Sequence, residues 1–250
     1  MTTASGVRLD RDGPVATVTL CRPDVLNAQT AQMWAALREY GRELPGDVRA
    51  VVVRGEGRAF SAGLDLTAAS STTGELLRMS PESAEERIST YQEAFSWLRR
   101  ADLVTVAAVQ GHAIGAGFQL ALACDFRVLT DDAQLTMAEI SLGLVPDLGG
   151  TKRLLDLVGY ARALEICLTG RRVSAAEADR IGLANLVVPG AQLDGAVNDL
   201  LAAVLAAPRD AVVEIKALLA GAAGRGYPAQ EAAERSAQVR RIRDLAGLDG

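Results

Sequence analysis

One histidine, three cysteines and few aromatic residues narrow what this chain can do. With His112 as its sole histidine it has no basis for a His-built metal site or a chain of His proton relays, and no metal is expected. Cys21, Cys124 and Cys167 are odd in number, far apart and set in apolar segments, so they read as buried, reduced thiols. Positive charge is also short. The 26 Lys and Arg against 31 Asp and Glu leave a formal charge of -5, which supplies no field to draw in a nucleic-acid backbone, so none is expected as partner. No uncharged apolar run reaches the roughly 18 residues that a membrane span needs. The first residues lack the basic-then-apolar layout of a secretory signal, and the expected location is the cytoplasm.

What is present is ordinary globular composition over 250 residues, 49% hydrophobic and 23% charged, enough for a full-sized core. Residues 7–20 alternate as a hairpin turning at Asp12-Gly13-Pro14. Thr30 is placed to cap a helix carrying Met33, Leu37 and Tyr40, and residues 48–53 form an apolar run suited to a strand covered on both faces. Residues 67–81, rich in Ser, Thr and Ala without a firm period, predict a mobile connector or lid. Ile88, Tyr91, Phe95 and Leu98 mark one face of a further helix. Beyond Pro189 the chain turns Ala-rich and helical, with candidates at 193–205, 210–219 and 229–245. Strands alternating with helices and then a helical tail predict an α/β body, residues 1–190, followed by a C-terminal helical region, residues 191–250.

The densest chemical signal is residues 104–154. A β-branched apolar run, 104–109, leads to Gly111, Gly115 and Gly117, and the chain restarts as an apolar helix from Phe118. A helix opening out of glycines presents unpaired N–H groups and the positive end of its dipole, suited to an anion or to an oxyanion formed during reaction. Glu139 follows in apolar company. Gly115-x-Gly117 lacks the third glycine and the acidic residue of a dinucleotide fold, and Ser61, His112 and Asp125 lack a nucleophile elbow, so neither a dehydrogenase nor a Ser hydrolase is favoured. His112 itself reads as a loop residue.

Five segments together, RPDVLNA (22–28), RAFSAGLDL (58–66), GHAIGAGFQLALACDFRV (111–128), AEISLGLVPDLGGTKRL (138–154) and TGRRVSAAEADRIGL (169–183), resemble the enoyl-CoA hydratase/isomerase, or crotonase, superfamily. The resemblance implies a spiral of ββα units with a C-terminal helical region, assembled as a homotrimer or dimer of trimers. It implies an acyl-CoA or enoyl-CoA substrate and no cofactor beyond the coenzyme A moiety. Its thioester oxygen would meet the amides of Leu64 and Ala116. The two positions that carry Glu in the family's hydratases are Gln119 and Glu139, and Asp147 stands where some dienoyl-CoA isomerases carry an acid; a helix cap is the other reading of Asp147. Arg22, Ala28, Ala62, Asp65 and Leu66 match positions near CoA. With one Glu replaced by Gln119, the implied reaction is double-bond isomerisation with Glu139 as acid and base. Hydration of 2-enoyl-CoA in fatty-acid degradation and non-catalytic acyl-CoA binding are the alternatives.

Overall fold

The structure is a computed structural model, and it describes residues 5–247, the side chains of residues 69, 70, 71 and 73 excepted. The hairpin β1 (Val7–Asp12) and β2 (Val15–Leu20) forms one edge of a six-stranded sheet. A turn with left-handed Leu26 and Asn27 follows, and α1 (Ala31–Glu43) begins with the Met33 amide donating to Thr30 Oγ1 at 3.3 Å. Asn27, fully buried, holds its strained turn. Its Nδ2 donates to Glu56 O and Ala59 O, each at 2.8 Å, and its Oδ1 accepts from Arg22 N at 2.9 Å.

β3 (Ala50–Gly55) lies parallel to β2. Two helices follow, α2 (Leu66–Leu76) and α3 (Pro81–Ser96), before β4 (Val104–Val109) returns parallel to β3. The expectation of a mobile connector at 67–81 is corrected here: most of that stretch is helix. Its cap is Asp65, whose Oδ1 accepts from the amides of Thr67 and Ala68 at 3.0 and 3.2 Å.

After β4 the chain makes β5 (His112–Ile114), α4 (Ala116–Ala123), β6 (Phe126–Thr130) and β7 (Gln134–Thr136). His112 is thus a strand residue, not a loop residue. Then come α5 (Gly150–Val158), α6 (Tyr160–Thr169), β8 (Arg172–Ser174), α7 (Ala175–Arg180) and β9 (Leu186–Val188). The large sheet runs β1-β2-β3-β4-β6-β9, and β5-β7-β8 form a second, smaller one. Two bridges, Ser61 to Ala113 and Gln29 to Leu64, extend the small sheet toward the 61–65 loop.

Every residue of β4 is buried, because helices cover both faces of the large sheet. On one face α1 and α3 bring Met33, Trp34, Leu37 and Phe95 against Val18, Val51 and Val53. On the other, α8 (Leu193–Ala206) sets Leu193, Val197 and Leu201 on Val52, Val106 and Val128. α9 (Arg209–Ala222) and α10 (Tyr227–Leu245) complete the helical tail, and Lys216 ties α9 to the body through Leu103 O and Asp125 Oδ2, each at 2.6 Å. Among the described residues no helix is long and apolar enough to cross a membrane.

Candidate active site

The 61–65 loop has five consecutive amides, and four are spent inside the protein. Ser61 N donates to His112 O at 2.9 Å, Ala62 N to Leu26 O at 2.8 Å, Gly63 N to Ser61 Oγ at 3.2 Å and Asp65 N to Gln29 O at 2.8 Å. Only the Leu64 amide has no acceptor among the described residues. The reason is the parallel bridge to Gln29, which takes its bonds through Gly63 O and Asp65 N and so turns the N–H of Leu64 outward.

Across from it, Gly115 N donates to Thr136 O at 2.8 Å and Gln119 N closes the first turn of α4 on Gly115 O at 2.9 Å, so Ala116, the first residue of α4, has its N–H free of backbone partners. Glycine makes the approach possible. Gly63 has φ +86°, and a Cβ there would stand 2.5 Å from Ile114 O and 3.6 Å from Ala116 N. Two unspent amides on neighbouring segments, one at a helix start, form a donor pair for an oxyanion.

Glu139 closes the site from a 3-10 turn, Glu139–Leu142. A Cβ on Gly115 would lie 3.3 Å from its Oε1 and 3.8 Å from its Oε2, which places the carboxyl beside the residue preceding Ala116. Oε1 accepts from Gln119 Nε2 at 2.7 Å, whereas Oε2 is buried with no partner. Burial pushes the Glu139 carboxyl above its usual range, the bond from Gln119 opposes that, and the charge of Asp147 adds to it.

Gln119 is 1% exposed and held from behind: its Oε1 accepts from Leu148 N at 2.9 Å and Gly150 N at 3.2 Å. Those bonds set its amide the one way round, with Nε2 aimed at Glu139. The Gln119 carbonyl is thus taken by two backbone amides, and one of its N–H groups is spent on Glu139. Asp147, at the surface, does not cap α5; the cap position is Gly149, with no side-chain bond to the helix. Although the residue is exposed, the packed atoms around its carboxyl desolvate it and raise it as well. Glu139 and Asp147 are thus two carboxyls within electrostatic reach, both raised.

Of the residues matched to CoA positions, Arg22 and Asp65 face each other. Arg22 Nη1 donates to Asp65 Oδ2 at 2.9 Å and to Ala28 O at 2.6 Å. One guanidinium nitrogen is thereby committed to a clamp joining the 22–28 turn to the start of α2. Ala62 is stitched to Leu26 within that turn, and Leu66 opens α2 at 65% exposure. Arg22 first, and then the amides at the head of α2, hold the Asp65 carboxyl below its usual range. A depressed carboxyl adds stability above its unfolded pKa and loses it as pH falls through the folded one. Asp65→Asn should therefore flatten the acid side of a Tm-against-pH curve relative to the parent protein, and an unchanged curve would remove the clamp from the account.

Ser61, His112 and Asp125 form no triad: Ser61 Oγ donates to Asn27 O, and Asp125 accepts from Thr105 and Lys216. The three cysteines are free, two of them buried.

Residues 10–245 match the family model for enoyl-CoA hydratase/isomerase. The chain belongs to that family. Among solved structures, a Thermobifida fusca protein named as a putative enoyl-CoA hydratase, in complex with acetoacetyl-CoA, shares 48% identity at TM-score 0.92, covering 96% of each chain. A Mycobacterium tuberculosis protein named as an enoyl-CoA hydratase is 34% identical over 189 residues, 75% of this chain and 70% of its own. A peroxisomal Δ(3,5)-Δ(2,4)-dienoyl-CoA isomerase of Arabidopsis thaliana is 32% identical over 224 residues, 85% of this chain and 80% of its own. The family's members thus include both named hydratases and a named isomerase. The residues that sequence reasoning missed are Leu148 and Gly150, whose amides fix Gln119, and Gln29, whose backbone leaves Leu64 unspent.

Proposed function

We propose that this member of the hydratase/isomerase family moves a double bond in an enoyl-CoA thioester. The thioester oxygen sits between the amides of Leu64 and Ala116. Oε2 of Glu139 takes a proton from C2 of a 3-enoyl thioester, the two amides hold the dienolate oxygen, and the same carboxyl returns the proton at C4, giving the 2-enoyl product. The observation that carries this reading is the state of Gln119. Its Oε1 is filled by two backbone amides, one of its N–H groups is spent on Glu139, and an amide neither gives nor takes a proton at neutral pH, so that position offers no acid, no base and no free acceptor for water. Adding water across C2–C3 asks for two such groups; shifting a proton along the chain needs one. CoA would run along the 22–28 turn and the head of α2, past Arg22, Ala28, Ala62, Asp65 and Leu66.

Profiling purified protein against 2-enoyl-, 3-enoyl- and dienoyl-CoA with product identification tests the assignment; fast hydration of the 2-enoyl thioester with no isomerisation would overturn it in favour of a hydratase. Dienoyl-CoA isomerisation is supported by one specific observation: Asp147 directly precedes Leu148, whose amide holds Gln119, and so brings a second carboxyl toward the site, where it could serve the far end of a longer conjugated system. An acyl-CoA that raises Tm without being turned over would instead mark a non-catalytic binder.

Gln119→Glu supplies a further check. One oxygen of the new carboxyl would keep the bonds from Leu148 and Gly150, and the other would face Glu139 Oε1, now 2.7 Å from Nε2. Two carboxyls at that spacing share a proton and titrate as a pair. Hydration should appear or rise, with a broadened pH profile. A variant with neither change would show that the residue at 119 does not choose the reaction.

Exposed apolar side chains on α6 (Leu164, Leu168) and on α9 and α10 (Leu219, Ile242, Leu245) support assembly as a homotrimer or dimer of trimers. Sedimentation velocity reads this directly, and a monomer at micromolar concentration would refute it.

A further inference from the structure

Beneath the Leu64 amide runs a buried polar chain that begins at an indole. Trp34 Nε1 donates to Gln29 Oε1 at 2.8 Å, and Gln29 Nε2 donates to Ser61 Oγ at 3.1 Å. Ser61 Oγ donates in turn to Asn27 O at 2.9 Å and accepts from Gly63 N at 3.2 Å. Gln29, Ser61 and Asn27 are each 0% exposed. The Ser61 hydroxyl therefore uses its one proton and both lone pairs, which is how a buried hydroxyl avoids the cost of an unmet partner.

Ser61 also touches the other donor segment. A Cβ on Gly117, the second residue of α4, would stand 2.7 Å from Ser61 Cβ and 2.9 Å from its Oγ. Its main chain is bonded on both sides of Ala113, to His112 O and from Ile114 N, each at 2.9 Å. One residue thus ties the loop that presents Leu64 and presses on the turn that presents Ala116. Gln29 works on the same loop twice, through Ser61 with its side chain and through Gly63 O and Asp65 N with its backbone.

We infer that Ser61, oriented by Gln29 and Trp34, is a positioning residue that sets the direction of the Leu64 amide and its spacing from the Ala116 amide. This role rests on the enolate chemistry proposed above. Without the hydroxyl, Gly63 N and Gln29 Nε2 lose their acceptor and Asn27 O loses its donor. The loop then gains freedom to turn those groups elsewhere, and the Leu64 N–H turns with it. A donor displaced by about 1 Å no longer meets the place where the oxyanion forms. Trp34 acts two bonds away, so its effect should be of the same kind and smaller.

The test uses the full chain and acetoacetyl-CoA, a 3-ketoacyl thioester whose enolate absorbs in the near ultraviolet, with butyryl-CoA as a thioester that stays neutral. In the parent protein at fixed pH the bound enolate fraction should exceed that of free acetoacetyl-CoA. Ser61→Ala should cut the enolisation constant of the bound ligand about tenfold or more, on the scale of a misplaced oxyanion donor, with butyryl-CoA affinity held within about twofold. Trp34→Phe, which keeps an aromatic ring against Tyr91 and Phe95 but trims the indole and removes the donor to Gln29, should give a smaller loss of the same sign with butyryl-CoA affinity again held, and it carries the test if Ser61→Ala does not fold. Enolate fractions equal to the parent in the folded variants would overturn the role. So would losses of enolate and butyryl-CoA binding in equal measure, since a general loosening would produce those. A parent protein that binds butyryl-CoA yet shows no excess enolate would overturn the oxyanion hole itself, a failure visible before any variant is made.

Discussion

Glu139→Gln should abolish double-bond isomerisation, lowering kcat by about 10²–10⁴, the usual worth of a positioned acid/base, while acyl-CoA affinity stays nearly unchanged. The amide is close in shape to the carboxyl and can still meet Gln119 after a flip, so the fold and the thioester site should survive. The chemistry cannot, because Oε2 is the one buried carboxylate oxygen left without a partner among the described residues. The pH dependence follows from the same burial. The base form must be ionised, and burial raises its pKa, so kcat/KM should fall with decreasing pH along a limb displaced above the ordinary carboxylate range. Stability should move the opposite way. A carboxyl whose folded pKa is raised weakens the fold above that pKa and ceases to do so as pH drops below its unfolded value. Glu139→Gln should therefore raise Tm at neutral pH, with the gain disappearing in acid. A harmless Glu139→Gln in a folded protein would remove Glu139 as the base.

Gly63→Ala should damage both stability and turnover. An alanine at φ +86° carries a left-handed penalty of about 1–2 kcal/mol, and its Cβ would lie 2.5 Å from Ile114 O, a backbone atom that cannot swing aside. Forcing the two segments apart adds about 1–3 kcal/mol, as overpacking does elsewhere. At roughly 2–4 °C per kcal/mol for a chain of this size, Tm should fall by roughly 4–20 °C. The separation occurs between the two oxyanion donors, so kcat should drop about 10²–10³, the measured scale for losing one donor. Gly13→Ala is the matched control. It has φ +52° in the β1–β2 turn and nothing within 4 Å of a new Cβ, so it carries the backbone penalty alone and should keep full activity. Equal Tm losses in the two variants, with turnover intact in both, would show that the approach of Gly63 to β5 is not what shapes the site.

Some elements were legible in the sequence because their causes lie within a few residues of one another. Thr30 caps α1 through Met33, three residues on, and Met33 and Leu37 face the core as their spacing implied, with Tyr40 half-buried against it. The apolar run 104–109 is a strand buried on both faces, and Pro208 and Pro228 stand at the heads of α9 and α10 as expected for helix starts. Gly115 and Glu139, both singled out in the sequence, lie side by side. Other features needed partners that arrive from far along the chain. α2 carries no helical period of its own; its cap, Asp65, is clamped by Arg22, 43 residues earlier, and that contact exists only once the loops are packed. β5, β7 and β8 are three residues each, too short to show alternation, and exist as strands because neighbours supply their bonds. Gln119 is the sharpest case. Its residue type allows an amide that serves water, substrate or protein, and the choice fell to the amides of Leu148 and Gly150, 29 and 31 residues away. Sequence by itself determined which polar groups this chain carries and where the backbone can bend. Only the tertiary structure decided which of those groups remain unspent, because a hydrogen-bonding group is used up by whichever partner folding brings within 3 Å or so of it.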